Sequence, residues 1–371
     1  MDKLTALVVD DSVLYRKILS DIMTSFPDIE LLGTAHNGKA ALEKIQNLKP
    51  DLITLDFEMP ELDGLETLKK LKDVSPGTRA VMVSSHTKAG AEITMKALEE
   101  GAFDFIAKPE TKNIQESKDL LHSQIKPIVN ALASKRRLRS PAAAAVPRTI
   151  TGRTSEQMMS EADSIRNRMK AIMCPGASKI NIVAIGISTG GPNALSKMIP
   201  MLPADLKVPI VIVQHMPPVF TAALADSLTK KGKLKAFEGT EGMLIEPGKI
   251  YIAPGGKQMK LEEDSAKQMR ISITDAPPEN NCKPSVDYLF RSVAKHYKNN
   301  ALGVIMTGMG CDGTKGLMIM KKLGAKVIAQ DEQTCTVFGM PMEAIKAGVT
   351  DVIAPLENIA GEILDAVNAV R

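Results

Sequence analysis

Two groups of residues in this sequence have the types and the spacing to do chemistry. The first is acidic. Asp10 and Asp11 close one apolar run and Asp56 closes another. Ser84 and the Lys108-Pro109 step follow two more. Three carboxylates gathered at one point repel each other and call for a cation. Oxygen ligands with room for water suit Mg2+, which dehydrates reluctantly and bridges to phosphate. Asp56 is then a candidate carboxylate nucleophile toward a phosphoryl group, whose oxygens the Ser84 hydroxyl and the Lys108 ammonium can hold.

The second group is a hydroxyl, an imidazole and a carboxylate. Gly186-Ile187-Ser188-Thr189-Gly190 fits the pattern G-x-S-x-G of a strained nucleophile turn. Gly191-Pro192 then opens a helix, proline being favoured at a first helical position. His215 follows the apolar run that ends at Gln214, and Asp312 follows another run through Gly308-Met309-Gly310-Cys311. A serine hydroxyl is too weakly acidic to attack unaided. His215 can take its proton near neutral pH, and Asp312 can fix the imidazole tautomer and favour its cation. The order Ser…His…Asp is not that of the α/β-hydrolases, so the motif does not import their fold. Phosphate cradling by the same glycines is the rival reading. Against it, the segment lacks the Gly-Lys-Ser/Thr of a P-loop, and the next strand ends in Gln214-His215 rather than a ribose-binding acid.

Both groups need a frame that brings strand ends together. Over the first 110 residues, short β-rich runs (6–9, 29–35, 52–56, 80–84, 104–107) alternate with helically periodic stretches (13–24, 39–48, 62–72). That alternation predicts an open parallel α/β sheet with right-handed crossovers, closed by a helix over about 113–135. From Lys179 the alternation resumes. Runs 180–187, 209–214 and 301–307 are nearly continuous in apolar residues, as strands buried on both faces should be. Run 326–329 looks similar, while 249–253 and 270–274 are shorter and alternate. The expected organisation is two doubly wound parallel-sheet domains, residues 1–134 and 179–371. A basic connector, 135–178, joins them and includes a short helix over 155–173.

Composition narrows the classes. With 44% hydrophobic and 24% charged residues, the chain is neither disordered nor fibrous. No tryptophan and 3% aromatics leave few platforms for stacking single-stranded nucleic acid. The first, middle and last segments carry net charges of −5, +6 and +3, and the basic stretch reads as solvated spacer rather than a nucleic-acid contact. Cys174, Cys282, Cys311 and Cys335 show no CxxC spacing, so neither a zinc site nor a disulfide framework is expected. No run approaches the ~18 apolar residues of a membrane span, and no secretory segment is evident. A cytoplasmic protein without membrane insertion is expected.

Residues 1–128 resemble the receiver domain of two-component response regulators. That resemblance implies phosphorylation of Asp56 by a histidine kinase. It implies Mg2+ held by Asp11, Asp56 and the backbone carbonyl of Glu58 with help from Asp10, and a phosphoryl group read by Ser84 and Lys108. Phe105 falls where receivers carry their switch aromatic. The whole chain resembles the chemotaxis-specific protein-glutamate methylesterase (CheB) family. The likeness is carried by 185–192, Gln214-His215-Met216-Pro217-Pro218, Tyr251-Ile252-Ala253-Pro254-Gly255, Pro284-Ser285-Val286-Asp287 and 307–313. It implies a flavodoxin-like receiver and a Rossmann-like hydrolase that cleaves glutamate methyl esters on methyl-accepting chemoreceptors, with glutamine deamidation besides. The ester reaction would need no cofactor. Ser188, His215 and Asp312 would be nucleophile, general base and orienter, the Met309 N–H an oxyanion donor and Thr189 a support for His215. Cys282-Lys283 and Gln258 depart from the family pattern, and only peripheral substrate contacts are expected to feel it. Cys311 reads as packing. The alternative function is a phosphorylation-gated adaptor or DNA-binding regulator without catalysis.

Overall fold

The computed structural model describes residues 3–109, 111, 113–139 and 179–369, without the side chains of 134–139. The expected helix over 155–173 lies outside the described residues. The first unit contains β1 (Leu4–Val9), α1 (Val13–Ser25), β2 (Ile29–Ala35), α2 (Gly38–Leu48), β3 (Leu52–Asp56), α3 (Gly64–Val74), β4 (Arg79–Ser84), α4 (Lys88–Glu99), β5 (Asp104–Ala107) and α5 (Ile114–Arg139). Its five strands are all parallel, in the order β2-β1-β3-β4-β5. Four of the helices start where a side chain caps them. Ser12, Asn37, Asp63 and Thr87 each accept the N–H three residues on. The Asp63 cap explains why α3 begins at Gly64 and not at Leu62. Helix α5 runs to Arg139, so the basic stretch after Ser134 starts as helix rather than as connector.

The second unit contains β6 (Ile182–Ile187), α6 (Gly191–Met198), β7 (Ile210–Gln214), α7 (Phe220–Lys231), β8 (Lys235–Glu238), β9 (Lys249–Ile252), β10 (Gln258–Glu263), β11 (Met269–Thr274) and α8 (Val286–Tyr297). It continues with β12 (Ala301–Ile305), α9 (Thr314–Lys322), β13 (Lys326–Gln330), α10 (Met340–Lys346), β14 (Val352–Ala354) and α11 (Leu356–Asn368). Seven strands form a parallel sheet in the order β14-β13-β12-β6-β7-β9-β8. Every residue of β6, β7 and β12 is buried, which is why those runs are continuously apolar. β10 and β11 stand apart as an antiparallel pair. Their alternating pattern is that of a ribbon with one wet face. The edge strands β8 and β14, four and three residues long, are too short to signal themselves in sequence.

The chain passes from β6 to β7 and outward to β9, then returns to β12 on the other side of β6. The reversal between β6 and β12 is a topological switch point, where open α/β sheets place their sites beyond the carboxyl ends of the strands. Helix α4 of the first unit packs on α6 and α7 of the second. Glu99 accepts the Ser227 hydroxyl at 2.8 Å and pairs with Lys231 at 3.0 Å. Asn193 donates to the Ala102 carbonyl at 2.9 Å. Phe105 stacks on Phe220 with ring centroids 4.6 Å apart, and His86 meets the same ring edge-on. No described helix is long and apolar enough to cross a membrane.

Candidate active site

The register of the central strands sets the site. Ile187 of β6 pairs with Gln214 of β7, so Ser188 and His215 leave the sheet at the same level on neighbouring strands. Strand β12 flanks β6 on its other side, and Asp312 follows it. His215 Nε2 lies 2.8 Å from Asp312 Oδ2. Asp312 is 2% exposed, and its oxygens accept far more than the imidazole. Oδ2 also takes the Val286 N–H at 2.7 Å. Oδ1 takes the Ser285 hydroxyl at 2.8 Å, the Asn280 amide at 2.9 Å, and the N–H groups of Asp287 and Gly313, both at 3.1 Å. Ser285 caps α8, and Val286 and Asp287 open it. The carboxylate thus sits at the positive end of a helix, as anions favour. Burial opposes charge on both partners, but their mutual hydrogen bond, joined at His215 by the Cys282 thiol, outweighs it. His215 is raised above the ordinary histidine value, and Asp312 is held below the usual carboxylate range.

Ser188 is clamped through its backbone. Its N–H donates to the Thr307 carbonyl at 2.9 Å, and its own carbonyl accepts from Gly191 N–H at 2.7 Å and Gln214 Nε2 at 3.0 Å. It is not a helix cap, because Gly190 fills that position in α6 at φ +74°. A Cβ on Gly190 would stand 2.3 Å from the Thr336 hydroxyl, so both backbone angle and space demand glycine there. Among the described residues no hydrogen bond joins the Ser188 hydroxyl to the imidazole. Catalytic hydrogen bonds of this kind are often long until substrate binds.

The loop after β12 closes on Ser188: a Cβ on Gly308 would come 2.7 Å from Ser188 Cβ. Met309 follows it, exposed, and its N–H donates to no described acceptor. The Thr189 carbonyl accepts from the Thr307 hydroxyl at 2.9 Å. The Thr189 hydroxyl makes no hydrogen bond to His215, so the support expected from it is not found in this arrangement.

Three expectations need correction. Cys282 is not peripheral: its Sγ stands 3.6 Å from His215 Nδ1, facing the nitrogen that Asp312 leaves free. Gln258 is fully buried and braces the same segment, its Oε1 accepting the Ser285 N–H at 2.8 Å and its Nε2 donating to the Pro277 carbonyl at 3.1 Å. Cys311, expected as packing, is exposed. Ser285 and Asn280 join the site without a role expected from the sequence. The signal for Ser285 was local, a serine one residue before the apolar face of α8 in a cap position. Nothing local marked Asn280.

In the first unit Lys108 Nζ lies 2.7 Å from Asp56 Oδ2 and 3.2 Å from Asp10 Oδ2. Asp56 Oδ1 accepts the Phe57 N–H at 2.8 Å. Burial, with the nearby Asp10 charge, pushes Asp56 up to about 6 against the pull of Lys108. Burial works against the Lys108 ammonium, but the two carboxylates outweigh it and raise the lysine. Carboxylate oxygens of Asp10, Asp11 and Asp56 lie within 4.8 Å of one another. Asp10 Oδ2 is buried without a hydrogen bond, with the Lys108 ammonium beside it. An all-oxygen set whose buried Asp10 oxygen has only the Lys108 ammonium beside it fits a hard cation such as Mg2+. The Glu58 side chain is exposed, two residues beyond Asp56. Ser84 makes no hydrogen bond to Asp56: its hydroxyl accepts from Thr94 Oγ1 at 2.8 Å and donates to the Gly90 carbonyl at 3.2 Å.

Residues 183–363 match the family described as CheB methylesterase, and residues 6–117 match the response regulator receiver domain. A protein-glutamate methylesterase/protein-glutamine glutaminase of Desulfotalea psychrophila is 50% identical over 99% of this chain and 99% of its own length. A protein of the same name from Bacillus subtilis is 42% identical over 98% of this chain and 99% of its own. Among solved structures, the Thermotoga maritima CheB methylesterase catalytic domain is 40% identical. That match covers 51% of this chain and 99% of that one, with a TM-score of 0.49.

Proposed function

The chain belongs to the CheB methylesterase family, and from that premise we propose that it hydrolyses γ-glutamyl methyl esters on chemoreceptors, with deamidation of receptor glutamines as a second activity. Phosphorylation of Asp56 controls both. The observation that carries the reading is the His215–Asp312 pair, 2.8 Å long, at the mouth of the strand beside Ser188.

In this mechanism the Ser188 oxygen attacks the ester carbonyl carbon while His215 takes the hydroxyl proton. Asp312 holds Nε2, so Nδ1 is the nitrogen that accepts it. The developing oxyanion is received by the Met309 N–H, a donor with no competing acceptor among the described residues. His215 then returns the proton to the departing methoxide, and methanol leaves. Water attacks the acyl-serine with His215 again as base, which releases glutamate and restores Ser188. With glutamine the leaving group is ammonia.

In the receiver, Asp10, Asp11 and Asp56 with the Glu58 carbonyl would hold Mg2+, which when bound offsets the charge of phosphoryl oxygens. The Asp56 carboxylate accepts the phosphoryl group from a histidine kinase, and Lys108 pairs with the added charge. Ser84 serves only after turning from Thr94 and Gly90 toward Asp56. The control we propose is docking of the receiver on the hydrolase unit, supported by two neighbouring residues of β5: Asp104 accepts the Gly190 N–H of the Ser188 turn, and Phe105 stacks on Phe220 of α7.

The test is methanol release from methylated receptor with and without a small phosphodonor. Ser188→Ala is expected to lower the rate by about 10³-fold or more with an unchanged circular dichroism spectrum. Asp56→Asn should keep basal turnover and lose the response to phosphodonor. Near-normal methanol release by Ser188→Ala would sink the mechanism.

A further inference from the structure

Nothing in the hydrolytic cycle uses Cys282, yet its thiol faces the base nitrogen of His215. We propose that Cys282 Sγ and His215 Nδ1 form a binding site for a borderline-soft divalent cation, Zn2+ first among them, which silences the hydrolase by occupying that nitrogen. Its inhibitory consequence rests on the reading of His215 as the base; the site itself does not.

The spacing fits. Zinc bonds of ~2.3 Å to sulfur and ~2.0–2.1 Å to imidazole nitrogen, set at a tetrahedral angle, put the two ligand atoms about 3.5–3.6 Å apart. Sγ and Nδ1 are separated by 3.6 Å. The tautomer fits as well. Nε2 donates its proton to Asp312, which leaves the Nδ1 lone pair free to ligate. A carboxylate on the far nitrogen is the usual outer partner of a metal-bound histidine, and it orients the ring and raises its basicity. Asp312 is that outer partner rather than a third ligand, since six donors already take its oxygens.

The thiol is held in place before any ion arrives. Cys282 and Glu279 exchange both backbone hydrogen bonds, at 2.8 and 3.1 Å, and Gln258 Nε2 donates to the Cys282 carbonyl at 3.4 Å. The thiol itself points at the Asn280 carbonyl, 3.5 Å away. Binding exchanges that S–H proton for the metal: one Zn–S bond and one Zn–N bond form, and the thiol proton goes to solvent. Cys282 is only half-buried, so water can complete the coordination and the ion can enter and leave. Mg2+ prefers oxygen and would pass this thiolate–imidazole pair by. The two cations therefore address different halves of the chain.

The full-length protein can be titrated with Co2+, whose thiolate charge-transfer band reports a sulfur ligand, and with Zn2+ in the methanol assay. Wild type and Cys311→Ser should show the band, while Cys282→Ser and Cys282→Ala should lack it. Measured against its own zinc-free rate, each Cys282 variant should need at least tenfold more Zn2+ for half-inhibition. A band that survives loss of Cys282, or zinc inhibition equal in wild type and both variants, overturns the site. If no methanol release is found at all, the hydrolase reading fails while the cobalt band still decides the metal site.

Discussion

Asp312 does more than orient a ring. Its oxygens collect the His215 imidazole, two side chains and three backbone N–H groups from either side of the switch point. Asparagine would replace one acceptor oxygen by a donor aimed at other donors. Asp312→Asn is therefore expected to lose activity by about 10³-fold or more and stability by about 2 kcal/mol, the scale of a buried group left facing the wrong partner. Thermal unfolding beside wild type checks the second half, and an unchanged midpoint would show that the network adds nothing to stability. The same pair sets a pH dependence. With His215 as the proposed base, hydrolysis needs the neutral ring, so kcat/KM should fall as pH drops and the ring gains its proton. Because Asp312 raises His215, the acidic limb should have its midpoint above 6.5. A limb centred at or below that value would mean that the group titrating is not this histidine.

At the scale of elements, the nucleophile turn depends on its glycines. Gly190 holds φ +74° against Thr336 and ends the turn that begins at Ser188. Alanine there meets both a disfavoured backbone angle, worth about 1 kcal/mol or more, and a contact of 2.3 Å. Gly190→Ala should cost about 2 kcal/mol of stability and displace the Ser188 hydroxyl, with methanol release reduced far beyond the loss of folded protein. Denaturant melts and turnover measured on one preparation separate the two effects. Equal stability and equal turnover would show that the turn tolerates a side chain. Helix α8 works in the same way from the other side. Its cap and first N–H groups are spent on Asp312, so the helix end and that carboxylate are one device.

For the whole molecule, the proposed control by docking makes the contact between units testable. Asp104 Oδ2 accepts the Gly190 N–H at 3.3 Å across the interface. Burial lifts Asp104 to about 7, against the pull of the Phe105 and Gly190 N–H groups it accepts and from roughly 3.9 for an exposed aspartate. A group raised on docking favours docking fully below its exposed value and loses that contribution as pH climbs through its docked value. Docking should therefore weaken from about pH 4 to pH 7. Asp104→Asn removes the titration and keeps an acceptor oxygen. The ratio of unphosphorylated wild-type turnover to that of Asp104→Asn is expected to rise with pH across this window. Taking the ratio cancels the His215 limb, which both proteins share. A flat ratio would exclude Asp104 from the control of docking. Little energy is needed, since a tenfold change in the free population corresponds to only about 1.4 kcal/mol.

By itself the sequence determined the two α/β units and the residues at their strand ends. Strands buried on both faces must be continuously apolar, and β6, β7 and β12 are legible for that reason. Polar residues closing such runs must gather at one edge of a parallel sheet, so Ser188, His215 and Asp312 could be named together, as could Asp10, Asp56 and Lys108. Tertiary structure alone decided what surrounds those groups. Cys282 reaches His215 from 67 positions away, and Gln258 braces Ser285 from 27. Asp104 and Gly190, 86 positions apart, meet only when the units pack. None of these contacts follows a helical or strand period. Each depends on how loops and helix ends converge, which no local run of residues encodes.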